Sequence, residues 1–174
     1  FPNASARSEF LAYTKTYRLV RSSNGGRTWV EVAPSSTAEG GAPTYRELVP
    51  TGIDSRVLYA TRWEYVPGSF GGCCVIATDV VRSDDGGRTF TRLMAPAGQG
   101  VRAFVGVASP LVVFASGTVG TYRSRDGGTS WQLLPRAGGY GTVFVPDPAM
   151  PERWYATQAG GRIATTDDAG DTWS

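Results

Sequence analysis

The sequence predicts an all-β fold of repeated four-stranded antiparallel sheets, and three observations carry that prediction. One octapeptide turn motif occurs four times without gaps. A short apolar run of strand type precedes each copy. Glycine (23) and proline (11) are plentiful, as the many turns of an all-β chain require. A repeat is decisive because a fixed period sets the architecture before any single residue does.

The four copies are Ser22-Ser-Asn24-Gly-Gly26-Arg-Thr28-Trp29, Ser83-Asp-Asp85-Gly-Gly87-Arg-Thr89-Phe90, Ser124-Arg-Asp126-Gly-Gly128-Thr-Ser130-Trp131 and Thr166-Asp-Asp168-Ala-Gly170-Asp-Thr172-Trp173. The Asp or Asn of a tight turn accepts hydrogen bonds from backbone N–H groups about two residues on, and a Ser or Thr hydroxyl does so more weakly. Gly26, Gly87, Gly128 and Gly170 suit a position that needs positive φ. The aromatic at the end opens the next strand and can bury its ring. Each box should therefore close a β-hairpin and anchor its outgoing strand. Calcium loops also use Asp-x-Asp-Gly, but an EF-hand needs a Glu at its twelfth position. No box has one, so no metal is assigned.

The boxes begin at residues 22, 83, 124 and 166. A repeat of ~40–45 residues matches one four-stranded propeller blade. The prediction is thus a β-propeller segment of about four consecutive blades, with strands A (inner) to D (outer). Strand B is read at Phe10–Thr14, Val57–Thr61, Val113–Ser116 and Trp154–Thr157. Strand C leads into each box, at Tyr17–Arg21, Val75–Arg82, Thr121–Arg123 and Arg162–Thr165. Strand D follows, at Thr28–Val32, Thr89–Leu93 and Ser130–Leu134, with only its start at Thr172–Ser174. Strand A is read at Tyr45–Val49, Val101–Val107 and Tyr140–Val145, where Phe104, Val105, Val107, Phe144 and Val145 should supply inner core. Blade 1 (about residues 1–33) lacks its inner strand in this reading. Blades 2 and 3 take about 34–95 and 96–136, and blade 4 (about 137–174) has a truncated outer strand. Propellers close with typically 4–8 blades, which removes exposed edges. A segment of a larger propeller is therefore expected, its other blades coming from further sequence or from another chain.

The boxes resemble the Asp-box, or BNR, repeat of sialidases, sortilin-type receptors, xyloglucanases and photosystem II assembly factors. The resemblance covers nearly the whole chain. It implies that each box joins strands C and D, and that ligands meet the opposite face, at the B–C and D–A loops. It implies no single activity, because these families do unrelated things.

The spacings then single out blade 2. From Ala60 to Ser83 is 23 residues, where the sister blades use 9 or 10. The ~13 extra residues lie between strands B and C, and insertions into a repeat often mark a binding face. They include Arg62, Trp63, Glu64, Tyr65 and Phe70. Aromatic faces beside polar groups can grip sugars or proteins. Tyr140, with Arg136, lies in a D–A loop and could join them. The alternative is an extended hairpin whose aromatics pack on the neighbouring blade.

Composition removes several functions. There is no histidine, which excludes Ser-His-Asp and Cys-His catalysis and every His-containing metal site. The formal net charge is +2 with no basic stripe, so nucleic acid is not an expected partner. Lys15 is the only lysine. No run approaches the ~20 apolar residues of a membrane span. No leader peptide is read, which fits a mature or trimmed chain or an intracellular one. Cys73 and Cys74 are adjacent, leaving a strained vicinal disulfide, free thiols, or pairing to cysteines elsewhere. Asn3-Ala-Ser5 fits a glycosylation sequon.

The Arg-Ile-Pro signature of sialidases is absent, since Tyr45-Arg46-Glu47 and Tyr17-Arg18-Leu19 do not match it. Glu64 and Tyr65 would face opposite sides of a strand. Asp79 and Asp54 have no identifiable catalytic partner, so no catalytic residue and no cofactor are assigned. The leading expectation is a non-catalytic binding or scaffold module, extracytoplasmic or secreted, recognising a protein or glycan opposite the boxes. The alternatives are a fragment of a glycan-active hydrolase and an assembly factor of a membrane complex.

Overall fold

The computed structural model describes residues 2–3, 6–15, 18–32, 44–51, 56–66, 75–93, 101–105, 112–135, 137–138 and 141–174. They form four antiparallel sheets in chain order. The first holds β1 (Pro2–Asn3), β2 (Ala6–Tyr13), β3 (Leu19–Ser22) and β4 (Val30–Glu31). The second holds β5 (Thr44–Pro50), β6 (Leu58–Val66), β7 (Val75–Ser83) and β8 (Thr91–Leu93). The third holds β9 (Arg102–Val105), β10 (Val113–Gly117), β11 (Gly120–Ser124) and β12 (Gln132–Leu133). The fourth holds β13 (Phe144–Pro146), β14 (Trp154–Thr157) and β15 (Ile163–Thr166). Within each sheet the strands pair in sequence order, as a meander. The Ser174 N–H and carbonyl bond to Thr165, where the other sheets carry their fourth strand.

The first sheet differs from expectation. Pro2–Asn3 pairs with β2 on the side opposite β3, so this sheet has four strands where three were read. A two-residue strand with an irregular register has too little periodicity to be seen in a sequence.

The core lies in layers between successive sheets. Leu19 and Val32 of the first meet Tyr45, Leu48, Ala60 and Val81 of the second. Tyr59 and Val80 of the second meet Val101, Ala103, Val113 and Ala115. Phe114 and Leu134 of the third meet Phe144, Trp154 and Ala156. Tyr59 and Ala60 are neighbours on one strand yet fill different layers, as the two-residue period of a strand requires. Strand B is apolar at successive positions because both its faces are covered. Val145, expected in the core, is 52% exposed, because it points away from buried Phe144, to a face of the fourth sheet that none of the described sheets covers.

Each box is a self-contained hydrogen-bonded turn. In the third, the Asp126 carboxylate accepts from the Thr129 and Ser130 N–H groups at 3.0 and 2.9 Å and from the Ser130 hydroxyl at 2.6 Å. Asp85 and Asp168 act alike, and the Asn24 amide oxygen takes the Thr28 N–H at 2.9 Å. The opening hydroxyl carries more than the sequence suggests. Ser124 is buried, accepts the Asp126 and Gly128 N–H groups at 3.2 and 2.7 Å, and donates to the Asp126 carboxylate. Gly26, Gly87, Gly128 and Gly170 all have positive φ, as expected, and so do the residues just before them, Gly25, Gly86, Gly127 and Ala169.

The boxes also join the sheets. A Cβ on Gly87 would come within 3.1 Å of Leu11 in the first sheet, and one on Gly170 within 3.1 Å of Phe114 in the third. The Tyr59 hydroxyl donates to the Gly127 carbonyl at 3.1 Å, and Arg123 donates to the Ala169 carbonyl at 2.7 Å. Every box from the second onward thus seats on the sheet before it. The box aromatics follow the same rule. Phe90 stacks on Tyr45 beside the first layer, Trp131 packs on the second, and Trp173 on the third. Trp29 does not bury its ring as expected. It is 44% exposed, because none of the described sheets packs in front of the first.

Candidate functional site

Boxes leave the C-terminal ends of β3, β7, β11 and β15, so the B–C turns lie at the other end of each sheet. There the second sheet departs from its sisters. β6 and β7 are nine residues each and stay in register from Leu58–Ser83 to Val66–Val75. The corresponding β10 and β11 are five each, and β14 and β15 four each. The inserted residues therefore lengthen both strands and carry the hairpin beyond its neighbours at the end away from the boxes.

Alternation splits the expected site residues between two faces. Arg62 faces the first sheet. Its Nη1 is 3.3 Å from Asp79 Oδ2, and Arg92 grips the same carboxylate twice, at 2.7 and 2.9 Å. Beneath them Tyr45 and Phe90 stack with centroids 4.9 Å apart, and Tyr45, Arg62, Val81, Phe90 and Arg92 line a cleft of about 300 Å³. Burial raises the Tyr45 pKa, and the Arg62 charge opposes part of that rise. Asp79 is thus one carboxylate held by two guanidinium groups.

Trp63 faces the third sheet. It is half-buried, with the Arg46 guanidinium 4.5 Å above its ring in a cation–π contact and its Nε1 buried without a hydrogen-bond partner. Below it, Glu47 adopts φ 53 where the pairing of β5 with β6 shifts register. The Glu47 carboxylate accepts from Arg102 Nε of the third sheet at 2.7 Å and from the Thr61 hydroxyl at 3.3 Å. The next residue, Leu48, gives its N–H to the Tyr13 hydroxyl of the first sheet at 3.1 Å. Burial drives the Tyr13 pKa up to about 12; the Leu48 N–H lowers it and the Glu47 charge adds to the rise. The irregular stretch of β5 therefore ties three sheets together. A non-glycine residue at positive φ that forms such a joint has a structural account.

Glu64 and Tyr65 lie on β6, with their side chains outside the described residues, as are Phe70, Tyr140, Arg136, Cys73, Cys74 and Asp54. The geometry brings Arg62 together with Asp79 and Arg92, and sets Trp63 on the other side with Arg46. Sequence reasoning missed Arg46, Arg92 and Glu47, which belong to other strands. Among the described residues no three Asp, Glu, Cys or His side chains converge as a metal site.

This fold and its four turns define the class: an all-β chain with four Asp-box turns, whose sheets are built like the blades of a β-propeller. The BNR/Asp-box repeat family model matches residues 122–133. No curated protein matches the sequence significantly. Among solved structures, a GH74 enzyme of Niastella koreensis matches all of this chain over 28% of its own, with 17% identity and a TM-score of 0.65. An ancestral GH74 enzyme matches 95% of this chain over 22% of its own, with 13% identity and a TM-score of 0.60. A structure of Ycf48 bound to a D1 peptide matches 97% over 63% of its own, with 14% identity and a TM-score of 0.47. The chain thus spans about a quarter of the GH74 enzymes, and at these identities the likeness is one of fold.

Proposed function

We propose that this chain is a non-catalytic binding or scaffold module that recognises a protein or glycan, extracytoplasmically, through the lengthened hairpin of its second sheet. The observation that carries this reading is the length of β6 and β7, nine residues against four or five in the third and fourth sheets, at the end opposite the boxes. Arg62, Trp63, Glu64, Tyr65 and Phe70 belong to that hairpin, and Tyr140 to a loop on the same side in the blade reading. Its described part offers guanidinium groups beside aromatic rings, a combination suited to planar polar groups and to sugar or side-chain faces.

The test is binding of the chain to a glycan array and to a displayed peptide library. The double substitution of Trp63 and Phe70 by Ala should weaken any binder at least tenfold while the melting temperature stays within a few degrees. Asp126→Ala, at the opposite end of its sheet, should leave affinity unchanged and lower stability. Binding that survives the hairpin substitutions but vanishes with Asp126→Ala would reverse the two faces and sink the proposal.

A further inference from the structure

The first box carries an amide where its sisters carry a carboxylate. Asn24 stands in the place of Asp85, Asp126 and Asp168, so an NH2 group replaces one carboxylate oxygen. The surroundings are the same. Asn24 Oδ1 accepts from the Thr28 N–H at 2.9 Å and from the Ser22 hydroxyl at 3.0 Å. Asp85 Oδ1 accepts from Thr89 and Ser83 in the same way, at 3.0 and 2.8 Å. Asn24 Nδ2 donates to the Thr28 hydroxyl at 2.7 Å. In the other boxes the hydroxyls of Thr89, Ser130 and Thr172 donate to the second carboxylate oxygen, at 2.7, 2.6 and 2.6 Å. A hydroxyl can donate or accept, so Thr28 fits either group. The chain therefore shows three times over how this box would hold a carboxylate.

Two features of the first box favour the chemistry that makes the exchange. One is the nitrogen of Gly25, because the backbone nitrogen after an asparagine is the nucleophile that can close on its side-chain carbon Cγ. In the second and fourth boxes the equivalent nitrogen is tied down. The Gly86 N–H donates to the Arg56 carbonyl at 2.8 Å and the Ala169 N–H to the Glu152 carbonyl at 2.7 Å. Both acceptors lie in the loop joining the first two strands of the same sheet, residues 51–57 and 147–153. Only residues 4–5 separate β1 from β2, and among the described residues nothing accepts the Gly25 N–H. A Cβ on Gly25 would meet no atom within 4 Å. The same holds at Gly86, which has a sheet before it, so the room belongs to the turn. Asn24 is open to water, as is Asp126 in a box that also has a sheet before it. The other feature is the pair of donors on Oδ1. That oxygen gains negative charge when Cγ is attacked, and the Ser22 hydroxyl and Thr28 N–H already point at it as oxyanion-hole donors do.

We propose that Asn24 is a deamidation site and that its box directs the product to aspartate. The Gly25 nitrogen bonds to Cγ, the Cγ–Nδ2 bond breaks, and Nδ2 leaves as ammonia with the proton of the Gly25 nitrogen. A five-membered imide results. Water then adds at Cγ, the bond from Cγ to the Gly25 nitrogen breaks, and that nitrogen regains a proton. One water enters and one ammonia leaves. Water adding instead at the backbone carbonyl of residue 24 yields iso-aspartate, which routes the main chain through Cβ and Cγ and destroys the turn. Ser22 and Thr28 face the oxygen on Cγ, so they favour the first opening. The new carboxylate then takes the charge-assisted bonds of its three sisters. The Gly127 N–H also lacks an acceptor among the described residues, but Asp126 before it has no amide to lose.

Holding the folded chain in mildly alkaline buffer tests this, with peptide mass spectrometry that distinguishes aspartate from iso-aspartate. The same chain unfolded in urea is the reference. In the folded chain Asn24 should convert with aspartate in clear excess, while the unfolded chain yields both products. A folded chain that keeps Asn24 while the unfolded chain loses it would show that the box protects the amide, and overturns the proposal. As large a share of iso-aspartate from the folded chain as from the unfolded one overturns the directing role of Ser22 and Thr28. The Asn24→Asp variant, made directly, should melt no lower than the wild type. A lower melting temperature would show that this box is not built to receive a carboxylate.

Discussion

The first and third boxes are the same turn in different company. Both close on a buried serine, and both hold the N–H four residues after Asn24 or Asp126 at 2.9 Å. The third box also seats on the second sheet. Its Gly127 carbonyl accepts from Tyr59, and Leu93 lies under Gly128. The first box touches no preceding sheet, and its Trp29 is exposed. The difference separates two jobs that one octapeptide performs. Its hydrogen bonds shape a hairpin wherever they occur, while its glycines and aromatic cement one sheet to the next only where a sheet precedes it.

The largest expected effect comes from acid, because three boxes carry a carboxylate and one carries Asn24. Partial burial pushes the Asp85 pKa up, but the Thr89 hydroxyl and N–H, the Ser83 hydroxyl and the Arg88 N–H outweigh it and hold the value at about 2, against an ordinary 3.8. Asp126 is lowered chiefly by the Ser130 hydroxyl and N–H, and Asp168 by the Thr166 and Thr172 hydroxyls. A folded pKa below the unfolded one adds stability that is complete above the ordinary value and is lost as pH falls through the folded one. Stability should therefore decline below about pH 4 and keep falling through about pH 2. In amide NMR spectra across that range, Thr89, Ser130 and Thr172 should shift with protonation while Thr28 holds. A Thr28 amide that titrates with the same midpoints would show that the boxes do not act separately.

Next in size are the arginines just before the boxes. The Arg123 side chain is 3% exposed and reaches the Ala169 carbonyl, Gln132 and Asp171. Arg123→Ala leaves the carbonyl of buried Ala169 without its donor and should cost about 2 kcal/mol in denaturant unfolding. Arg21 bonds to Glu9 of its own sheet, so Arg21→Ala should cost about 1 kcal/mol or less. Equal losses would mean that Arg123 stabilises its own sheet and not the junction. Glycines one position before Gly26 and Gly128 sharpen the contrast. Gly25 and Gly127 have φ 75 and 71, so alanine at either meets backbone strain of about 1 kcal/mol. A methyl on Gly25 enters open space, but one on Gly127 meets the Arg82 guanidinium and, at 3.3 Å, the Tyr59 hydroxyl. Gly127→Ala should therefore cost about 1 kcal/mol more than Gly25→Ala. Identical melting temperatures for the two would deny the box its seat on the second sheet.

The fold was legible because the box repeats side-chain chemistry at fixed spacing, and that chemistry closes a turn from within eight residues. Strands B and C followed from the boxes by counting. β1 was not legible, since two residues paired through their backbone leave no pattern. The arginine ahead of the box was visible as Arg21, Arg82 and Arg123, but the task of the last two was not, because the partners of Arg82 and Arg123 lie about 45 residues on, toward the next sheet. The candidate site was legible as an interval of excess length. Its chemistry was not, because alternation places Arg62 and Trp63 on opposite faces and gives each a partner from another strand, Arg92 for the one and Arg46 for the other.

The smallest effect tests the fourth box against the other three. Ala169 stands where they have Gly25, Gly86 and Gly127, and at φ 52 it is strained as those glycines are not. Ala169→Gly should relieve roughly 1–2 kcal/mol of that strain. Two costs oppose the gain. Glycine frees the unfolded chain by about 0.4–1 kcal/mol. The Ala169 methyl is buried in the layer with Phe114, Phe144 and Trp154, and removing a buried carbon costs about 0.8 kcal/mol. The terms nearly cancel, so unfolding should change by less than about 1 kcal/mol, or a melting shift of a few degrees at most. A gain of 2 kcal/mol would mean the methyl contributes nothing to the layer. A loss of 2 kcal/mol would mean that packing against the third sheet, and not turn geometry, decides which residue this position holds.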